Sequence, residues 1–230
     1  MKKLLTLALS LLMIMSVCLT GAIAEEGSVV IENNGRTTTY DSVPERVVVL
    51  SYSNAETMAA LGLEDKVVAA FPGMYTLDDV LPEYQEAVAA MPFITEGLNS
   101  GTPNLETVLD QDPDFVLGTY YNFFPVNCGA PEDYEAAGAN VYAQEGTYVA
   151  GATLENTYND ILNLGQIFHV EERAQELVAE MRAQADEITT KLAETEPVST
   201  FVYDSGEGTM LSIGGVGLEN ELLTLAGGAN

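Results

Sequence analysis

Val47-Val48-Val49-Leu50, followed at once by Ser51-Tyr52-Ser53 and then by Asn54 to Leu61, reads as a strand, a short loop and a helix. A continuous apolar run that is rich in valine marks a strand buried on both faces of a parallel sheet, not an alternating antiparallel strand. Ser53 with Glu56 three residues on predicts a capping box, and Gly62 stops the helix. Val67-Val68-Ala69-Ala70-Phe71 is the next strand, punctuated by Pro72-Gly73. A second unit repeats the pattern: a helix from Leu105 to Asp110, a break before Pro113, and the strand Phe115-Val116-Leu117. Gly138-Ala139-Asn140 then turns into Val141-Tyr142-Ala143. The repeated β-α order predicts a doubly wound, mostly parallel α/β lobe.

Further along, two stretches without proline, 153–168 and 171–194, predict helices. The second carries Leu177, Met181, Ala185, Ile188 and Leu192 as one apolar stripe. At helical rise it would be about 36 Å long, enough to connect two lobes. Strand chemistry returns at Ser199 to Tyr203, after Glu196-Pro197, with a further strand over Met210–Ile213 and a helix over Leu218–Leu225. The segment beyond Glu196 is too short to bury a core of its own. The expected organisation is a leader over 1–24, an α/β lobe over 25–168, a connecting helix over 169–196, and the incomplete start of a second α/β lobe over 197–230.

Composition narrows the function. The 230 residues include 8 Lys or Arg against 35 Asp or Glu, a formal net charge of −27. Such a chain repels phosphate backbones, so nucleic acid is not its partner. With 47% hydrophobic residues it is a folded protein, not an acidic tail. Met1-Lys2-Lys3, the apolar run Leu4 to Val17 and Ala22-Ile23-Ala24 form an export signal with cleavage expected after Ala24. The run is shorter than the ~20 residues a membrane span needs. Lipid attachment at Cys18 is disfavoured because Val17 precedes it where a small residue is wanted. Losing Lys2 and Lys3 from the eight basic residues leaves six against 35 acids, a net charge of −29.

Catalysis and resident metal are not expected. His169 is the one histidine, so imidazole metal clusters are ruled out and a Ser-His-Asp triad would have to run through a residue between two helices. No Gly-x-Ser-x-Gly elbow is present. Cys128 is alone after the leader and reads as a passive loop cysteine.

Val43-Pro-Glu-Arg-Val-Val-Val-Leu50, Ser51 to Glu56 and Ala60-Leu61-Gly62 together resemble the first lobe of ABC-importer substrate-binding proteins of the ferric-siderophore, haem and cobalamin group. Asn104-Leu105-Glu106, Val108-Leu109 and Asp112 to Gly118 are similar to that family's most recognisable stretch. Asn220 to Leu223 and Ala226 to Asn230 resemble the first helix of its second lobe. The resemblance covers residues 36–230 and implies a truncated second lobe. It also implies an exported, non-catalytic, monomeric receptor that delivers an iron-siderophore-type complex to an importer permease, with no cofactor beyond the bound chelate. Cobalamin or haem reception, and a sensor or assembly domain on the same fold, are the alternatives.

Ligands of open α/β sheets bind at the carboxyl ends of the strands. The loops there supply Ser51, Tyr52, Ser53, Tyr75, Tyr120, Tyr121 and Tyr142 as candidate ligand-binding residues, with Tyr148 nearby. Tyrosine offers an apolar face with one hydrogen-bonding tip, suited to a large chelate. The paired phenols of Tyr120 and Tyr121 lack a histidine or defined carboxylate partner, so direct metal ligation is not expected. No arginine falls in these loops, which favours a neutral or cationic complex. The resemblance assigns permease docking to Glu106, which also sits favourably in the first turn of a helix.

Overall fold

The computed structural model describes residues 27–230 except Glu207, Thr209, Met210 and Ile213. The leader, its cleavage site and the ends of the Met210–Ile213 strand lie outside the described residues. A four-stranded parallel sheet forms the body. Its strands are β3 (Val47–Val49), β4 (Val67–Ala70), β5 (Phe115–Thr119) and β6 (Asn140–Gln144), in the order β4-β3-β5-β6. Side-chain alternation along these apolar runs feeds two cores at once. Val47, Val49, Phe115 and Leu117 face one layer, whereas Val48, Leu50 and Val116 face the other, and all are buried. Each such side chain contributes about 1.5–3 kcal/mol by leaving water.

Helix α1 (Tyr52–Ala60) follows β3, and α2 (Gln85–Ala90) and α3 (Leu105–Leu109) lie between β4 and β5. Helix α4 (Pro131–Ala136), with proline at its first turn, precedes β6. Helices α5 (Leu154–Ile167) and α6 (Glu171–Leu192) come next. The cap of α1 differs from expectation. Ser51, not Ser53, is the N-cap and its side chain accepts from Asn54 N–H. Glu56 instead accepts from the backbone N–H of Leu81 at 3.0 Å. A backbone turn at Phe168–Val170, with His169 at φ 56°, joins α5 to α6. Gly165 lets the two helices approach, since a Cβ there would lie 2.4 Å from that of Ala174.

The stripe on α6 is buried only in its first part. Ala174, Leu177 and Val178 pack on the lobe, while Ile188 is 45% exposed as the helix leaves it. Beyond it, β7 (Val198–Ser199) pairs in parallel with β10 (Gly228–Ala229), and β8 (Tyr203–Ser205) pairs with β9 (Leu211–Ser212). The single strand expected over Ser199–Tyr203 is therefore two short strands in separate sheets. Helix α7 (Leu218–Leu225) has the predicted bounds. It touches the start of α5 through Glu221, whose carboxylate accepts from Leu154 N–H, 2.6 Å away.

A hairpin that periodicity did not reveal precedes all this. Strands β1 (Val29–Asn33) and β2 (Arg36–Tyr40) are antiparallel. Asn34 and Gly35 turn between them, with φ of 51° and 71°. Two positive φ values in a two-residue loop match the twist of the strands, and Asn-Gly accommodates them. Arg36 on β2 ion-pairs with Glu132 and Glu135 of α4.

Candidate functional site

An open cleft of about 590 Å³ lies where β3, β4, β5 and β6 end. Each strand sends a loop to it. Leu50 and Ser51 come after β3, Gly73, Met74 and Tyr75 after β4, Thr119 from the end of β5 with Tyr121 and Asn122 after it, and Thr147 after β6. The segment 97–104, ahead of α3, forms one side with Gly97, Asn99, Thr102 and Asn104. That segment faces the β4 loop at backbone distance, with Gly73 N–H donating to Gly101 C=O at 3.2 Å. A Cβ on Gly101 would fall 1.8 Å from the Gly73 carbonyl oxygen, and its φ is +78°. Glycine is required here by both space and backbone conformation.

Three of the expected residues meet in the cleft. Tyr75 is 49% and Tyr121 62% exposed, and both line it beside Met74 at 86% and Val126 at 89%. Ser51 lines it too, but its hydroxyl is engaged by Asn54 Oδ1 and Ser53 Oγ, each at 2.8 Å. It therefore shapes the floor as a cap and has little left to offer a ligand. Ser53, half-buried, supports Ser51 from behind.

The other tyrosines are spent on packing. Tyr52 stacks on Phe93 with ring centres 4.3 Å apart. Tyr120 packs edge-on against Phe124 at 4.8 Å, and its N–H donates to Thr147 Oγ1 at 2.9 Å, fixing the β6 loop. Tyr142 corrects the expectation most strongly. It is fully buried opposite Leu117, donating to Asp160 Oδ1 at 2.8 Å and accepting from Asn163 Nδ2 at 3.0 Å. Burial raises its phenol far above the ordinary range, so it stays neutral inside the core. Tyr148 is likewise held, accepting from Asn34 N–H at 2.9 Å.

Asn99, Asn104, Asn122 and Asn127 line the cleft although the aromatic reading of the loops passed over them. The Gly- and Asn-rich run Gly97-Leu-Asn-Ser-Gly-Thr-Pro-Asn104 is the signal that marks this wall. No lining residue is Asp, Glu, Lys, Arg or His. Among the described residues no group of three or more His, Cys, Asp or Glu is placed to hold a metal ion. Cys128 is buried, and burial pushes its thiol up to about 11, so it is a core thiol rather than a nucleophile.

Below β6, Asp160 of α5 anchors the turn that carries Thr147. Its two oxygens accept from Glu145 N–H at 3.1 and 3.0 Å. Burial, with Glu145 nearby, pushes its carboxyl up to about 7 despite these bonds. Glu106 lies exposed in the first turn of α3, two residues beyond the cleft wall, behind the Asn104 cap that accepts from Thr107 N–H at 2.9 Å.

A parallel sheet carries an open, uncharged cleft with exposed tyrosines at its carboxyl edge, the place where open α/β sheets bind their ligands. The chain belongs to the periplasmic binding protein family, whose model matches residues 47–230. It is 28% identical to a solved periplasmic binding protein of Veillonella parvula DSM 2008, which superposes over 89% of this chain and 65% of that one with a TM-score of 0.75. A structure described as the ABC-type Fe3+-hydroxamate transport system of Saccharomonospora viridis DSM 43017 is 31% identical, covering 76% of this chain and 59% of that one with a TM-score of 0.62. The uncharacterized ABC transporter substrate-binding lipoprotein YvrC of Bacillus subtilis strain 168 is 26% identical over 185 residues, 79% of this chain and 54% of that relative. The chain thus spans between about half and two thirds of the length of these proteins. Among the described residues no helix is long and apolar enough to cross a membrane.

Proposed function

We propose that this chain is the receptor of an ABC importer, exported through its leader, which binds an iron-siderophore-type chelate at the cleft and presents it to the permease without chemical change. The observation that carries this reading is the cleft itself. Its exposed Tyr75, Tyr121, Met74 and Val126 offer apolar contact, its asparagines and threonines offer hydrogen bonds, and no Asp, Glu, His, Lys, Arg or Cys lines it. The likeness to a Fe3+-hydroxamate transport structure supports an iron chelate in particular. In the proposed organisation α6 is a stiff connector between two lobes of a monomer, and helical connectors permit only modest closure.

The chain has 11 tyrosines and no tryptophan, so its intrinsic emission is tyrosine emission, and Tyr75 and Tyr121 of that set line the cleft. Titration with ferric hydroxamates is expected to quench it saturably. A flat response to ferric hydroxamates, ferric catecholates, haem and cobalamin would sink the reading, while response to haem or cobalamin alone would move it to the sister ligand classes.

Glu106 is proposed to dock on basic residues of the permease. Glu106→Ala should leave chelate affinity within about twofold and cut cellular uptake of the same chelate by about tenfold, the scale of one lost charged contact at an interface. Uptake equal to wild type would remove the docking role.

A further inference from the structure

The cleft is neutral for a reason that extends beyond its lining. The described chain holds six basic residues, and every one is engaged away from the cleft. Arg36 pairs with Glu132 and Glu135, Lys66 with Glu45, Arg182 with Glu155, and Lys191 with Glu187. Arg46 donates to the carbonyls of Gln111 and Asp112 at the opposite end of the sheet, and Arg173 donates to the carbonyl of Ala60.

Several backbone amides at the cleft, the other common anion donors, are also engaged. The first turn of α1, which opens on the cleft, is closed by Ser51, while Tyr52 N–H donates to the Pro72 carbonyl. Asn104 closes α3, and Asn122 Oδ1 accepts from Thr119 N–H at 2.7 Å. Each of these side chains takes up one N–H at a loop or helix start that could otherwise face a negative ligand. The rim that remains is tyrosine face and methionine, which attract positive or uncharged groups. Around it lies a protein of net charge −27.

We infer that this cleft accepts neutral or cationic chelates and rejects polyanionic ones. The inference rests on the receptor reading and adds the charge class of its ligand. An anion entering would lose its hydration with no cation and few amides to replace it, against the repulsion of the acidic surface.

Three ferric chelates of similar size separate the cases: a cationic trihydroxamate, a neutral trihydroxamate and a trianionic tris-catecholate. Their dissociation constants would be measured on the full chain by tyrosine quenching and calorimetry, at low and high ionic strength. The neutral and cationic complexes are expected to bind at least about tenfold more tightly than the trianion at low salt, with the gap narrowing as salt screens the surface. Trianion binding as tight as that of the neutral complex overturns the inference while leaving the receptor reading in place. Binding of none of the three, nor of haem or cobalamin, overturns the receptor reading and the inference with it. Placing a cation on the exposed rim by Val126→Arg should shift the trianion-to-neutral affinity ratio toward the trianion by about tenfold. An unchanged ratio would show that charge does not control selection.

Discussion

Gly101→Ala is expected to open the cleft wall and to lower stability by on the order of 3 kcal/mol or more. The added methyl would lie 1.8 Å from the Gly73 carbonyl oxygen, and the atom it meets is backbone, which cannot rotate aside. The two loops must part, breaking the Gly73–Gly101 hydrogen bond that holds the β4 loop against the 97–104 segment. Chelate affinity should fall by at least about tenfold, because Tyr75 and Asn99 ride on those loops. Gly97→Ala is the matched control. Its φ is +74° but nothing lies within 4 Å of its Cβ, so only the conformational cost of about 1–2 kcal/mol applies. Denaturant midpoints and chelate titrations on both variants give the comparison. A Gly101→Ala protein no weaker than Gly97→Ala in either measurement would show that the close approach is not a constraint.

Asp160 gives the second large effect, in the pH dependence of stability. Its carboxyl titrates at about 7 when folded, against an ordinary value of 3.8. The folded chain therefore holds this proton more tightly than the unfolded chain, and the resulting stability is fully present below 3.8 and lost as pH rises through 7. The loss amounts to roughly 4 kcal/mol at most, at 1.36 kcal/mol for each pKa unit. In Asp160→Asn the amide oxygen can still accept from Tyr142 O–H and Glu145 N–H, so the anchor survives while the ionisation disappears. Urea unfolding at pH 5 and pH 8 should show a stability drop in the wild type about 2–3 kcal/mol larger than in the variant, the part of the loss that falls between those pH values. The remaining acids contribute alike to both proteins, so equal drops would mean that Asp160 ionises freely in the folded state.

The main sheet was legible because its strands are short apolar runs, and such runs have no stable place except between two layers. Val47–Leu50 and Phe115–Leu117 occupy those places. Helices with caps or long periodicity, such as 105–109 and 171–192, were equally readable. The hairpin of β1 and β2 was not, because Thr37, Thr38 and Thr39 carry no apolar alternation and only Asn34-Gly35 marks its turn. The strand after Glu196 was misjudged for a related reason. Short exposed strands take their pairing from distant partners, here Gly228–Ala229 for Val198–Ser199.

The candidate site divides along the same line. Six tyrosines at strand ends look alike in sequence, yet one pair, Tyr75 and Tyr121, opens into the cleft. Tyr142 lies on the β6 face that packs with α5, and one residue of register would have turned it to the opposite face. Tyr52 found Phe93, and Tyr120 found Phe124 and Tyr148.

Local residue patterns alone determined the parallel α/β body, the scarcity of cations and the family resemblance, since strand burial, charge count and motif spacing are properties of the chain taken in order. Which tyrosines face the ligand, how Gly73 and Gly101 frame the cleft, and that all six described cations are bound elsewhere emerged only once the chain was folded. Each of those depends on contacts between residues far apart in sequence, and periodicity carries no information about such partners.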